Sequence, residues 1–202
     1  MAAASPAECA AAAALRSVLQ RVNNAADLSG RASDRIRVVA VSKTKPVPLI
    51  RQVYDAGHRH FGENYVQELV EKAPQKLPDD IAWHFIGNLQ SNKVKPLLTK
   101  SGVEPASCVE LARHVSLNCL NLEFCGFMTI GMPDYTSTPD NFKTLANCRS
   151  EVCMALGMAE EQCELSMGMS GDFEMAIEMG STNVRIGSTI FGARDYPKKL
   201  SN

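Results

Sequence analysis

Ile36-Arg37-Val38-Val39-Ala40-Val41-Ser42 runs directly into Lys43-Thr44-Lys45, and then into a segment from Pro46 to Ala56 closed by Gly57. The first seven residues are a β-branched run of the kind found in strands buried on both faces. Pro46 to Ala56 reads as a helix, and Gly57 is placed to end it. Strand, tight turn and helix in this order form the repeating unit of an α/β fold with a parallel sheet.

The same alternation extends in both directions. Ala7 to Leu28 is an opening helix, with Leu15, Val18, Leu19 and Val22 at helical spacing. Further strands are expected at 58–62, 83–87, 124–129, 164–167 and 183–187. Helices are expected at 64–73, 91–98, 106–118, 139–156 and 172–179, with a short one from Ser188. No linker-like stretch divides the chain, so residues 1–202 are expected to form one domain. Eight such units close a barrel at a typical ~250 residues. Six strands could equally lie in an open doubly wound sheet. Periodicity does not choose between the two.

Composition narrows the function. The 21 basic and 22 acidic residues leave a net charge of −1, so no global field favours nucleic acid or an anionic membrane. No apolar run approaches the ~18–20 residues of a membrane span. The seven cysteines include no Cys-x-x-Cys pair and no zinc-site spacing, and no metal is expected. Several, such as Cys125 between Phe124 and Gly126, sit where cysteine acts as a small buried hydrophobe, which suits a reducing, cytoplasmic setting. The alanine-rich N-terminus lacks a basic n-region and is expected to be helix rather than secretory signal, which leaves organelle import open.

Four places carry candidate chemistry. Lys43 shares strand parity with Val39 and Val41, which aims it inward from the carboxyl end of the first strand. Partial desolvation there would make its amine a nucleophile for a carbonyl; the alternative from spacing alone is a solvated loop lysine, as is expected for Lys45. Ser166-Met167-Gly168-Met169-Ser170-Gly171-Asp172 joins a strand to a helix, with glycines that admit a ligand and serines and amides that hold an anion. Arg185-Ile186-Gly187-Ser188-Thr189 repeats that logic, and in barrels the loops after the last two strands are a frequent phosphate site. Asn64 and Asn88 follow glycines at strand ends, where asparagine either meets a ligand or caps a helix. His84, between Trp83 and Phe85, is expected in the core, and Met128, Met167 and Met169 are expected to pack around the site.

Five motifs occur in order: Val-Ser-Lys-Thr-Lys-Pro at 41–46, His-Phe-Gly-Glu-Asn-Tyr at 60–65, Trp-His-Phe-Ile-Gly-Asn-Leu-Gln-Ser-Asn-Lys at 83–93, Ser-Met-Gly-Met-Ser-Gly-Asp at 166–172, and Val-Arg-Ile-Gly-Ser-Thr-Ile-Phe-Gly-Ala-Arg at 184–194. Together they closely resemble the YggS/PROSC family of pyridoxal 5′-phosphate (PLP) homeostasis proteins, from about residue 10 to the C-terminus. The resemblance implies a TIM-barrel-like fold of PLP fold type III, like the N-terminal domain of alanine racemase, with PLP held as a Schiff base. Lys43 matches the family's PLP lysine. Ser170, Arg185, Gly187 and Ser188 lie in the motifs that hold the phosphate and face the pyridine ring, and Asn64 and Met167 complete the expected cofactor-binding set. An arginine beside the pyridine nitrogen keeps that nitrogen unprotonated, which makes the cofactor a weaker electron sink.

The chain departs from the family in one respect. After the helix that follows the Trp-His-Phe-Ile-Gly-Asn motif, the family has two more strands before a Ser-Gly-Val-Glu-Pro-like segment. Here Leu97-Leu98-Thr99-Lys100 runs straight into Ser101-Gly102-Val103-Glu104-Pro105. Two βα units, about 50–60 residues, are expected to be absent, as in a splice variant or an internally deleted gene product, leaving about six of eight strands. Three functions follow: a monomeric, non-catalytic PLP carrier or regulator serving PLP-dependent apoenzymes, a racemase-like enzyme acting on amino acids, or a deleted isoform defective in PLP binding. The sequence offers no clear second acid or base opposite Lys43, and nothing resembling the C-terminal β domain that completes racemase sites, which favours the first.

Overall fold

The computed structural model describes residues 6–74, 77–87, 102–131 and 138–193. A long opening helix, α1 (Pro6–Leu28), precedes β1 (Arg37–Val41), α2 (Val47–Asp55), β2 (His60–Glu63), α3 (Val66–Lys72) and β3 (Ala82–Phe85). Then come α4 (Cys108–Asn118), β4 (Gly126–Met128), α5 (Thr138–Leu156), β5 (Glu164–Ser166), α6 (Phe173–Glu178), β6 (Asn183–Ile186) and a single turn, α7 (Ser188–Phe191). Every expected element among the described residues is present. The helix expected at 91–98 lies outside them.

All pairings are parallel, and the strand order is β3-β2-β1-β6-β5-β4. That order settles what periodicity left open. A doubly wound sheet reverses direction by placing its first strand beside its fourth, in the order 3-2-1-4-5-6. Here β1 lies beside β6, so each strand neighbours its successor and the last returns to the first. This is the cyclic order of a barrel, with one junction unpaired, between β3 and β4.

The β1–β6 seam is the most deeply buried part of the sheet. Arg37, Val38, Val39 and Ala40 are in register with Asn183, Val184, Arg185 and Ile186. Val38, Ala40, Val184 and Ile186 face outward into a core built with Leu15, Val18 and Val22 of α1, Ile50 and Val53 of α2, and Phe173 and Ile177 of α6. The alternate residues Arg37, Val39 and Val41 face the other side of the sheet. A smaller core gathers Phe142, Leu165, Met167 and Ala176 on the β5 flank. Toward the open junction burial falls away, and every residue of β3 is only half-buried. Cys125 is exposed, contrary to expectation, because it leads into the edge strand β4, which has no neighbour on its far side.

Candidate functional site

A cleft of about 590 Å³ opens at the carboxyl ends of the strands, the end where barrel proteins build their sites. Loops after all six strands reach it: Lys43 and Lys45 after β1, Asn64 after β2, Ile86 after β3, Ile130 and Gly131 after β4, Met169 to Asp172 after β5, and Gly187 and Ser188 after β6. Its volume suits a small cofactor. Of the expected site residues, Lys43, Asn64, Ser170, Arg185, Gly187 and Ser188 all line it. Met167 does not. It shares parity with Leu165, so both side chains point outward into the smaller core, and Met169 lines the cleft instead.

Strand parity carries Lys43 onto the cleft wall, half-buried. Its neighbours anchor the turn on both sides. Ser42 is fully buried; its Oγ donates to Glu63 Oε1 at 2.6 Å, and its N–H donates to the Gly62 carbonyl. Lys72 Nζ donates to Glu63 Oε1 (2.8 Å), to the Ser42 carbonyl (3.0 Å) and to Glu68 Oε2 (2.6 Å), so all three of its protons have acceptors. Glu68 Oε2 also accepts the Thr44 N–H at 2.8 Å. That bond holds Thr44 at φ 62°, a left-handed conformation costly for a β-branched residue. Burial raises the Glu63 carboxyl pKa, while Lys72 and Ser42 act against it. Lys45, expected in solvent, is buried with its ammonium donating to the Ala193 carbonyl.

Arg185 leaves β6 in register with Val39, which aims it at the same interior face as Lys43. Its Nη1 donates to the Ser166 carbonyl (2.8 Å) and Oγ (2.7 Å), and Nη2 donates to the Thr129 carbonyl (2.7 Å), so one guanidinium ties the ends of β4, β5 and β6 together. Burial lowers its pKa to about 10, so it remains a cation at neutral pH. Gly187 lies against the end of β1, where an added Cβ would stand 3.2 Å from the Val41 carbonyl oxygen. Gly168 holds φ +96° and packs on α6, where a Cβ would come within 2.6 Å of the Ala176 Cβ. Gly171 has open space beside it at the cleft. The Asp172 carboxylate accepts the Met169 N–H at 2.6 Å, and Ser170 Oγ accepts the Thr189 N–H at 3.4 Å, joining the two glycine-containing turns.

Asn64 does not cap the helix that follows it; the capping position is Tyr65, without a side-chain bond. The buried Asn64 Oδ1 has no hydrogen-bond partner, an acceptor left over at the wall of a polar cleft. Asn88 lies outside the described residues. His84 is half-buried, with its Nε2 3.1 Å from His60 Nδ1, away from the cleft. Met128, expected around the site, is largely exposed on β4. Glu68 and Lys72 stand at i,i+4 on α3, a local signal, but their link to Ser42 and Glu63 is not local; only the return of α3 over β1 and β2 assembles it.

A second cleft, of about 1170 Å³, lies at the opposite end of the strands. Arg37, Arg149, Glu160 and Glu164 line it, already paired among themselves as Arg37–Glu164 and Arg149–Glu160. Among the described residues no group of three or more His, Cys, Asp and Glu could hold a metal ion, and no helix is long and apolar enough to cross a membrane.

No family-level sequence model matches the chain. It is 42% identical over 240 aligned positions to the pyridoxal phosphate homeostasis protein of Bos taurus, covering 92% of this chain and 88% of the relative. That share of 202 residues is about 186, so about 54 of the 240 positions have no counterpart here. Among solved structures it resembles PipY of Synechococcus elongatus with PLP bound, at 29% identity and a TM-score of 0.67, covering 85% of this chain and all of that one. Alanine racemase from Bartonella henselae shares the fold at 16% identity and a TM-score of 0.60, with 96% of this chain matched to 61% of the enzyme.

Proposed function

The chain belongs to the family of pyridoxal phosphate homeostasis proteins, and from that premise we propose that it binds PLP through a Schiff base at Lys43 and serves as a carrier or regulator of the cofactor rather than as a catalyst. The observation that carries this reading is convergence: Lys43, the unpartnered Asn64 amide oxygen, Ser170, Arg185 and the Gly187-Ser188 turn meet in one cleft of suitable size. PLP supplies an aldehyde that a lysine amine can engage, and a dianionic phosphate. The turns at 170–171 and 187–188 offer amides and hydroxyls to that phosphate, and the openness at Gly171 leaves room for it. Asn64, at the cleft wall with its amide oxygen unpartnered, would offer its side-chain amide to a polar group of the cofactor. Arg185 keeps a permanent positive charge in the cleft, which disfavours protonation of a pyridine nitrogen beside it.

The carrier reading is supported by the bonding of the other charged groups. Among the described residues, the titratable side chains that line the cleft, besides Lys43, are Lys45, Asp172 and Arg185. Lys45 is committed to the Ala193 carbonyl, Asp172 to the Met169 N–H, and Arg185 to the ends of β4 and β5. None of the three is held in reserve as the second acid or base that racemisation needs.

Titration of the full chain with PLP is expected to generate the visible absorption of a protonated lysine imine. Lys43→Ala should abolish it while leaving the far-ultraviolet circular dichroism unchanged. Pyridoxal, lacking the phosphate, should bind far more weakly. Equal binding of PLP and pyridoxal, or undiminished absorption in Lys43→Ala, would overturn the reading. Amino-acid racemisation by the loaded protein would favour the enzyme instead.

A further inference from the structure

The unpaired junction has a chemistry of its own. β3 and β4 each present a row of backbone N–H and C=O groups with no neighbouring strand among the described residues. Eleven large apolar side chains are exposed among those residues, and eight of them lie on the segments beside these two edges. Val66 and Val70 lie on α3, Leu117 on α4, Leu120 and Leu122 on the approach to β4, and Ile130 just beyond it, at the margin where this face meets the cleft. Leu120 is 93% exposed. At roughly 100 Å² per side chain, the eight present on the order of 800 Å², more than soluble monomers usually leave bare and about one partner's share of a stable interface.

We propose that this face docks a second copy of the chain, with β4 of each copy beside β3 of the other. The occupant must supply strand edges as well as apolar surface, and the molecule carries both edges of the required type, all in one direction. A two-fold axis running along the strands keeps every strand parallel and leaves no edge bare, whereas pairing β3 with β3 is antiparallel and strands both copies of β4. A net charge of −1 sets no repulsion between copies. The proposal replaces the monomer expected from sequence.

Sedimentation of the full chain across micromolar concentrations tests it. A dimer is expected, with hydrogen exchange at Ala82–Phe85 and Gly126–Met128 slowing as concentration rises. Leu120→Asp and Val70→Asp alter exposed positions, so both should keep the monomer's circular dichroism while weakening the dimer at least about tenfold. A monomer at every concentration, a dimer indifferent to both substitutions, or open-ended assembly beyond the dimer would overturn the proposal.

Discussion

Two parts of the same sheet contrast sharply. At the β1–β6 seam, Val184 and Ile186 are wholly buried and four residue pairs stand in register, with α1 packed over them. At the edges, Trp83 on β3 and Phe127 on β4 are only partly buried. The candidate lysine and both glycine-containing turns of the cleft hang from the seam and from β5 beside it. The open junction of the sheet, between β3 and β4, lies opposite the seam. Burial is low on the flanks of that junction, whereas the residues that line the cleft from β1, β5 and β6 are held by the deeply buried seam.

Restoring two βα units between Lys100 and Ser101 should give the largest effect. Each buried Val, Leu or Ile regained at the edges contributes ~1.5–3 kcal/mol, against a native stability of only ~5–15 kcal/mol. The restored chain should therefore melt well above this one, with PLP affinity changed much less than stability. Equal melting temperatures would show that the edges cost nothing.

Truncation at matched aromatic positions sharpens the contrast. Phe173 is completely buried beneath α1, and Phe173→Ala should cost ~3–5 kcal/mol in urea denaturation. Phe127, half-buried on β4 with an edge-on contact to Phe124, should cost less than half of that in Phe127→Ala. Comparable losses at the two positions would erase the distinction between seam and edge.

Acid should act through the histidines near β2. Burial lowers the His58 pKa from its ordinary 6.5 to about 4, and it lowers His60 and His84 in the same direction. The folded state thus holds these rings neutral, and the unfolded state takes up protons first. The stability they contribute is fully present above pH 6.5 and is lost as pH falls from there toward 4. For His58 alone this amounts to ~3 kcal/mol. Denaturation midpoints measured over that window should fall in the native chain and fall less in His58→Gln.

Much of the fold was legible because β-branched runs and glycine-closed helices are local signals. Strand order is not local, since it depends on which helix packs over which pair, and only the family resemblance pointed to a barrel. Within the site, parity placed Lys43 and Arg185 on the inner face and, applied to Leu165, would have turned Met167 away from it. Lys45 escaped because its long side chain reaches a carbonyl 148 residues away. Asn64 stood between cap and ligand contact until the helix was seen to begin one residue too late for capping.

Borohydride reduction of the PLP-loaded full chain, followed by peptide mapping, tests the central claim most directly. The account expects a single pyridoxyl group on Lys43, in the peptide that joins β1 to α2. A label confined to Lys45, Lys93 or another lysine, or no label at all, would contradict it.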